Sequence, residues 1–141
     1  MKKIALLVFV AFLGTSVFAQ DEEPAPKKHD ATWHRVVLVN FKPGKVGEAK
    51  KIIAKYQTAG ATAGTPKPQQ YWFETGSYDM MLIWDLKGGP SDLEWSWAPD
   101  GVKWWNAFVA QEGSKEAAEE VQDAYAALVS GSTSQLLRKD K

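Results

Sequence analysis

Cysteine is absent from this 141-residue chain. Its absence excludes disulfides, thiolate metal sites and a lipidated cysteine behind a signal sequence. Histidine is scarce, with only His29 and His34. His29, Asp30 and His34 have no metal-ligand spacing, so no metal is expected. No phosphate-binding loop, nucleophile motif or zinc signature occurs, and no cofactor is expected. Neither sign of charge is in excess, with 17 basic and 17 acidic residues. That balance lacks the electrostatic footprint of a nucleic-acid-binding domain. Beyond the N-terminus, no apolar run is long enough to span a bilayer.

The N-terminus reads as a processing signal. Lys2 and Lys3 precede an apolar run from Ile4 to Leu13, and Val17-Phe18-Ala19 offers the small residues that a signal peptidase reads. Cleavage is expected after Ala19, giving an exported chain, periplasmic or extracellular, with no membrane anchor. A retained anchor is the alternative, but the run is shorter than the ~20 apolar residues a spanning helix needs. Residues 20–32 (QDEEPAPKKHDAT) are polar, with two prolines and charges of both signs. They read as a flexible leader. Residues 33–141 form a single domain of ordinary size.

Tryptophan is abundant where cysteine and histidine are not. Six of the seven lie between Trp72 and Trp105. Residues 33–41 (WHRVVLVNF) predict a first strand, apolar at the centre of both faces. Val46 to Ala59 predicts an amphipathic helix through Val46, Ala49, Ile52, Ile53 and Tyr56, stopped by Gly60 and Gly64. Gln69 to Thr75 and Tyr78 to Leu86 predict two strands joined by a type II′ turn at Gly76-Ser77. That turn would place Phe73 opposite Met80, Tyr71 opposite Leu82 and Gln69 opposite Trp84 on one apolar face. Trp72 with Met81, Gln70 with Ile83, Glu74 opposite Asp79, and Asp85 would occupy a mixed face. The first face is expected under the helices, with Trp84 in the core. A helix from Gly101 to Gln111 carries Trp104, Trp105 and Phe108. Ser114 is a plausible N-cap for a helix to Ser130, with a stripe of Ala118, Val121, Tyr125 and Leu128. Ser134 to Lys139 predicts a short last strand.

The order is βαββαβ, a ferredoxin-like α+β layout with helices on one face of an antiparallel sheet. An antiparallel sheet normally has one wet face. Strands apolar on both faces require a second cover: a second subunit, a ligand, or both.

The stretch HRVVLVNFKPGK at 34–45, followed by a helix, resembles the opening of the dimeric α/β-barrel superfamily. The likeness is nearest to the stress-responsive barrel proteins. The hairpin TGSYDMMLIWDL at 75–86 is similar to the glycine-aromatic-Asp hairpin of that superfamily, found in antibiotic-biosynthesis-type monooxygenases and in ligand-sensing domains. The resemblance implies a homodimer whose two four-stranded sheets meet face to face. A signal sequence departs from these mostly cytoplasmic proteins, and Leu93 to Trp105 matches no catalytic motif of theirs.

Candidate residues follow from this layout. Val36, Leu38, Trp72, Met81, Ile83 and Asp85 on the mixed face, with Trp104 and Trp105, would hold a small apolar or aromatic ligand, and Trp95, Trp97, Trp104 and Trp105 would form an aromatic wall to stack on it. His34 is the domain's one histidine; beside Asn40 and Asp85 it would serve as a base or a haem ligand, or as a hydrogen-bonded residue at the dimer seam. Three functions follow: an exported protein that binds a small apolar or aromatic ligand in a pocket between sheet and helices without catalysis, a cofactor-independent monooxygenase-like enzyme in which Trp72, His34 and Asn40 orient an aromatic substrate, and a structural dimer whose tryptophans only pack.

Overall fold

The computed structural model describes residues 25–141. The expected signal sequence and the first residues of the leader lie outside them. The chain runs β1 (Ala31–Phe41), α1 (Val46–Ala63), β2 (Gln69–Trp72), β3 (Met80–Leu86), a 3₁₀ turn (Gly89–Leu93), α2 (Pro99–Glu112), α3 (Lys115–Leu128) and β4 (Val129–Asp140). The sheet order is β2-β3-β1-β4, and every neighbouring pair is antiparallel. β3 is inserted between β1 and β2, the split βαβ arrangement of a ferredoxin-like fold.

Several boundaries differ from the sequence expectation, most of all those of β1 and β4. Ala31 and Thr32 belong to β1 rather than to the leader, because they pair with Asp140 and Lys139. β4 starts directly after α3 at Val129 and spans 12 residues. Its first half, Ser130 to Ser134, has no apolar alternation to read, yet its backbone pairs along β1 from Phe41 onward. The ladder, not the side chains, makes it a strand.

The helices cover one face of the sheet. Val39, Phe41 and Met80 from the strands pack with Ala49 and Ile53 of α1 and Leu128 of α3. Met80 is fully buried, and burial of a side chain of that size contributes roughly 1.5–3 kcal/mol. A second cluster lies among the helices, where Ala59, Phe108 and Ala118 are buried beside Tyr56, Trp104, Trp105 and Val121. α1 runs on through Gly60 and ends at Gly64, whose φ of 64° gives a left-handed cap that accommodates glycine without strain. Ser114 caps α3 as expected, its Oγ accepting from the Ala117 N–H at 3.1 Å.

The β2–β3 register is shifted by one residue from the expected one. Trp72 pairs with Met80, Tyr71 with Met81 and Gln70 with Leu82. The strands are not joined by a two-residue turn. β2 stops at Trp72, and residues 73–79 form a longer connection around Gly76, whose φ is 105°. A one-residue slip exchanges the faces of the whole strand. Trp72 therefore joins the helical side, against Phe41 (centroids 6.3 Å apart) and below Lys50 Nζ at 4.5 Å, while Tyr71 turns to the open side.

Asp79 closes the connection. Its carboxylate accepts the Phe41 N–H at 2.7 Å. Its backbone N–H donates to Val39 O at 3.0 Å, and its carbonyl accepts the Phe73 N–H at 2.9 Å. The β1–β4 register shifts between Asn40 and Phe41, the kind of irregularity that takes a backbone group out of the ladder. Asp79 supplies a partner there. It does not oppose Glu74, which is exposed.

Candidate functional site

Strand alternation and register assign the face away from the helices. Across β3, β1 and β4 one row reads Asp85, His34, Leu137; the next Ile83, Val36, Gln135; the next Met81, Leu38, Thr133. Tyr71 extends the last row on β2. Val36 is 5% exposed, and Leu38, Met81 and Ile83 are half-buried. The centre of this face is thus apolar, with no helix of the described residues packed on it, while its ends are polar.

At one end His34 Nδ1 lies 2.8 Å from Asp85 Oδ1. The carboxylate only accepts, so Nδ1 carries the hydrogen and Nε2 is left as an acceptor when the ring is neutral. The two residues pair directly across β1 and β3, so the backbone ladder fixes their approach. Asp85 is exposed and His34 half-buried. An open cleft of about 810 Å³ adjoins this pair, lined also by Trp33, Lys28, Lys87 and Lys141. Asn40 does not join it. Six residues along β1 set it about 20 Å from His34, so His34 and Asn40 form no common site. The sequence reading missed Lys28 and Lys87, which lie in the leader and in the turn after β3 and carry no motif.

The expected ligand set divides between two sides of the sheet. Val36, Leu38, Met81, Ile83 and Asp85 share the open face. Trp72 lies on the helical side, beside a groove of about 380 Å³ between α1 and β2 lined by Lys50, Gln57 and Gln70. Trp104 and Trp105 belong to the helical cluster. Trp104 stacks on Phe108 at 5.1 Å and 15° and donates Nε1–H to Tyr56 O at 3.1 Å. Trp105 touches Phe108 and Trp97. They pack α2 onto α1 and do not wall the open face. Trp84 is 37% exposed rather than core, because the helices cover the sheet only toward Val39 and Phe41.

The perturbed groups also lie in the helical layer. Burial pushes Tyr56 up to about 12, with Tyr125 and Glu112 adding to the rise. Burial also raises Tyr125. Hydrogen bonds from Lys55 and then Gln111 hold Glu112 below the usual carboxylate value. Among the described residues no group of three or more His, Asp or Glu gathers as a metal site, and no helix is long and apolar enough to cross a membrane.

The fold is similar to that of solved NIPSNAP-family proteins from Agrobacterium tumefaciens strain C58. One, of unknown function, is 12% identical with a TM-score of 0.51, over 81% of this chain and 93% of that one. Another is 11% identical with a TM-score of 0.50, over 75% of this chain and 90% of that one. At such identity the likeness shows the fold alone: a four-stranded antiparallel sheet with helices on one face. No family model matches the chain, and no curated relative matches it.

Proposed function

We propose that this chain is an exported homodimer of the dimeric α/β-barrel kind, akin to the stress-responsive barrel proteins, that binds a small apolar or aromatic ligand between the open faces of two sheets. The observation that carries this reading is the apolar band of Val36, Leu38, Met81 and Ile83 on the face without helices. A contiguous apolar area on a soluble domain marks an interaction site. Pairing two such faces supplies the second cover that the strands require, and the polar row at His34 and Asp85 lies at the edge of the enclosed space. Sedimentation of the processed chain at micromolar concentration tests the assembly. A dimer that Ile83→Lys converts to monomer is the expected result; a wild-type monomer overturns it. Native mass spectrometry of the dimer from its native source should show a bound small mass.

A second reading rests on the His34–Asp85 contact at 2.8 Å. A carboxylate that fixes a histidine tautomer is how enzymes orient a general base. The chain would then be a cofactor-independent monooxygenase-like enzyme, with His34 Nε2 removing a proton from a small aromatic substrate. His34→Ala should abolish turnover of quinol-type substrates while leaving their binding; no turnover by the wild type rejects this reading.

A further inference from the structure

The cleft beside His34 and Asp85 is unbalanced in charge. Its lining includes Lys28, Lys87 and Lys141, while Asp85 is the one acidic side chain in it. Asp85 is hydrogen-bonded by His34, which leaves its charge in place when the ring is neutral, and Lys141 is paired with Asp30 at 3.0 Å. Neither Lys28 nor Lys87 forms an ion pair among the described residues. Both are exposed. Lys28 and Lys87, neither in an ion pair among the described residues, thus line a cleft at the end of the sheet where the open face begins with the His34–Asp85 row, and the next two rows of that face are apolar on β3 and β1. Those rows, from His34 through Val36 to Leu38, extend about 13 Å along β1.

We infer that the ligand of this face is an amphipathic organic anion, with its acidic head at Lys28 and Lys87 and its aromatic or alkyl body over Val36, Leu38, Met81 and Ile83. This rests on the reading of the open face as a ligand site and goes further by naming the ligand class. Charge complementarity selects an anion over a cation or a neutral compound. The apolar rows select a body large enough to cover them and exclude a small inorganic anion. Asp85, held by His34 on the side nearer the apolar rows, disfavours an anionic head there and sets the ligand's direction.

A matched pair of fluorescent probes tests this: 1-anilinonaphthalene-8-sulfonate and its uncharged analogue N-phenyl-1-naphthylamine, titrated into the processed dimer at low salt. The anion should bind about tenfold more tightly, a preference that falls as salt rises. The double variant Lys28→Gln/Lys87→Gln should lose the preference and keep both the dimer and the neutral probe's affinity. Equal affinity of the two probes for the wild type overturns the anion inference and leaves the ligand-binding reading standing. So does a preference that survives in the double variant, which would place the anion elsewhere. If neither probe binds the intact dimer, the ligand-binding reading fails and the inference fails with it.

Discussion

Trp72 pairs with Met80 across β2 and β3, and this one pairing decides which side of the sheet its indole occupies. On the helical side the ring meets Phe41 and lies below Lys50, so it contributes packing area and a cation–π contact of order 0.5–1 kcal/mol at an exposed site. Trp72→Ala should destabilise the fold by roughly 2–4 kcal/mol, less than a fully buried tryptophan because the site is partly open. Binding of either naphthyl probe should be unchanged. Urea unfolding with a probe titration checks both halves. A stable variant with lost binding would put Trp72 on the other face.

The same pair shows what was legible in the sequence. Along β3 the alternation of Met80, Leu82 and Trp84 against Met81, Ile83 and Asp85 was readable, because a strand has period two whatever its neighbours do. β2 depended on the turn, and Gly76 is compatible with both a two-residue turn and the longer connection that forms. Its face therefore inverted. His34 and Asp85 were read onto one face and do meet; Asn40, also on that face, lies about 20 Å away along β1. Face membership follows from parity, whereas proximity needs the cross-strand register. Trp104 and Trp105 read as apolar surface on α2, but only the packing of α2 on α1 shows that Tyr56 lies against Trp104, while Trp105 meets Phe108 of its own helix. Lys28 and Lys87 join the cleft through tertiary placement alone.

Asp79 holds three chain segments with one residue, through its carboxylate on Phe41 N–H and its backbone to Val39 and Phe73. Asp79→Ala leaves the half-buried Phe41 amide without that partner and should destabilise by roughly 1–3 kcal/mol. Asp79→Asn keeps an acceptor oxygen and should fall between that variant and the wild type. Thermal unfolding of both variants checks the order. Equal stability of Asp79→Ala and wild type would mean that water replaces the carboxylate fully.

Tyr56 predicts an alkaline limit to stability. Its ordinary value is 10.0, and in the fold burial raises it to about 12. The unfolded chain therefore loses this proton first as pH rises. The stabilisation is complete below pH 10 and is lost between pH 10 and about 12. Tyr56→Phe removes the titration and should flatten the fall in that window. Phenolate absorbance during alkaline titration should show Tyr56 ionising late, with denaturant midpoints read in parallel.

Glu112 predicts the opposite limb. Lys55 Nζ lies 2.6 Å from its carboxylate, and Gln111 donates to the other oxygen, which joins the end of α2 to α1. The folded value lies below 4.5, so the stabilisation is complete above pH 4.5 and is lost as pH falls through the lowered value. Lys55 is 48% exposed, and solvent screening limits the pair to about 0.5–1 kcal/mol. Glu112→Gln should lower stability by that amount at pH 7 and by almost nothing near pH 2. Unfolding midpoints across this range decide it; an equal loss at both ends would assign the effect to packing.

Asp85 predicts which nitrogen of His34 holds the proton. With Oδ1 at 2.8 Å from Nδ1, the neutral ring should carry its hydrogen on Nδ1, because the carboxylate has nothing to donate. Nitrogen-15 spectra should separate His34 easily, since the chain has only one other histidine. Asp85→Ala should release the ring and mix its tautomers. Asp85→Asn can still accept through its amide oxygen and should preserve part of the preference. The site is exposed at Asp85, so both variants should stay within about 0.5 kcal/mol of wild-type stability. If the ring shows mixed tautomers in the wild type, Asp85 does not orient it, and the base reading of His34 loses its support. If Nδ1–H dominates and is lost in Asp85→Ala with the fold intact, Nε2 is the nitrogen that faces whatever this surface binds.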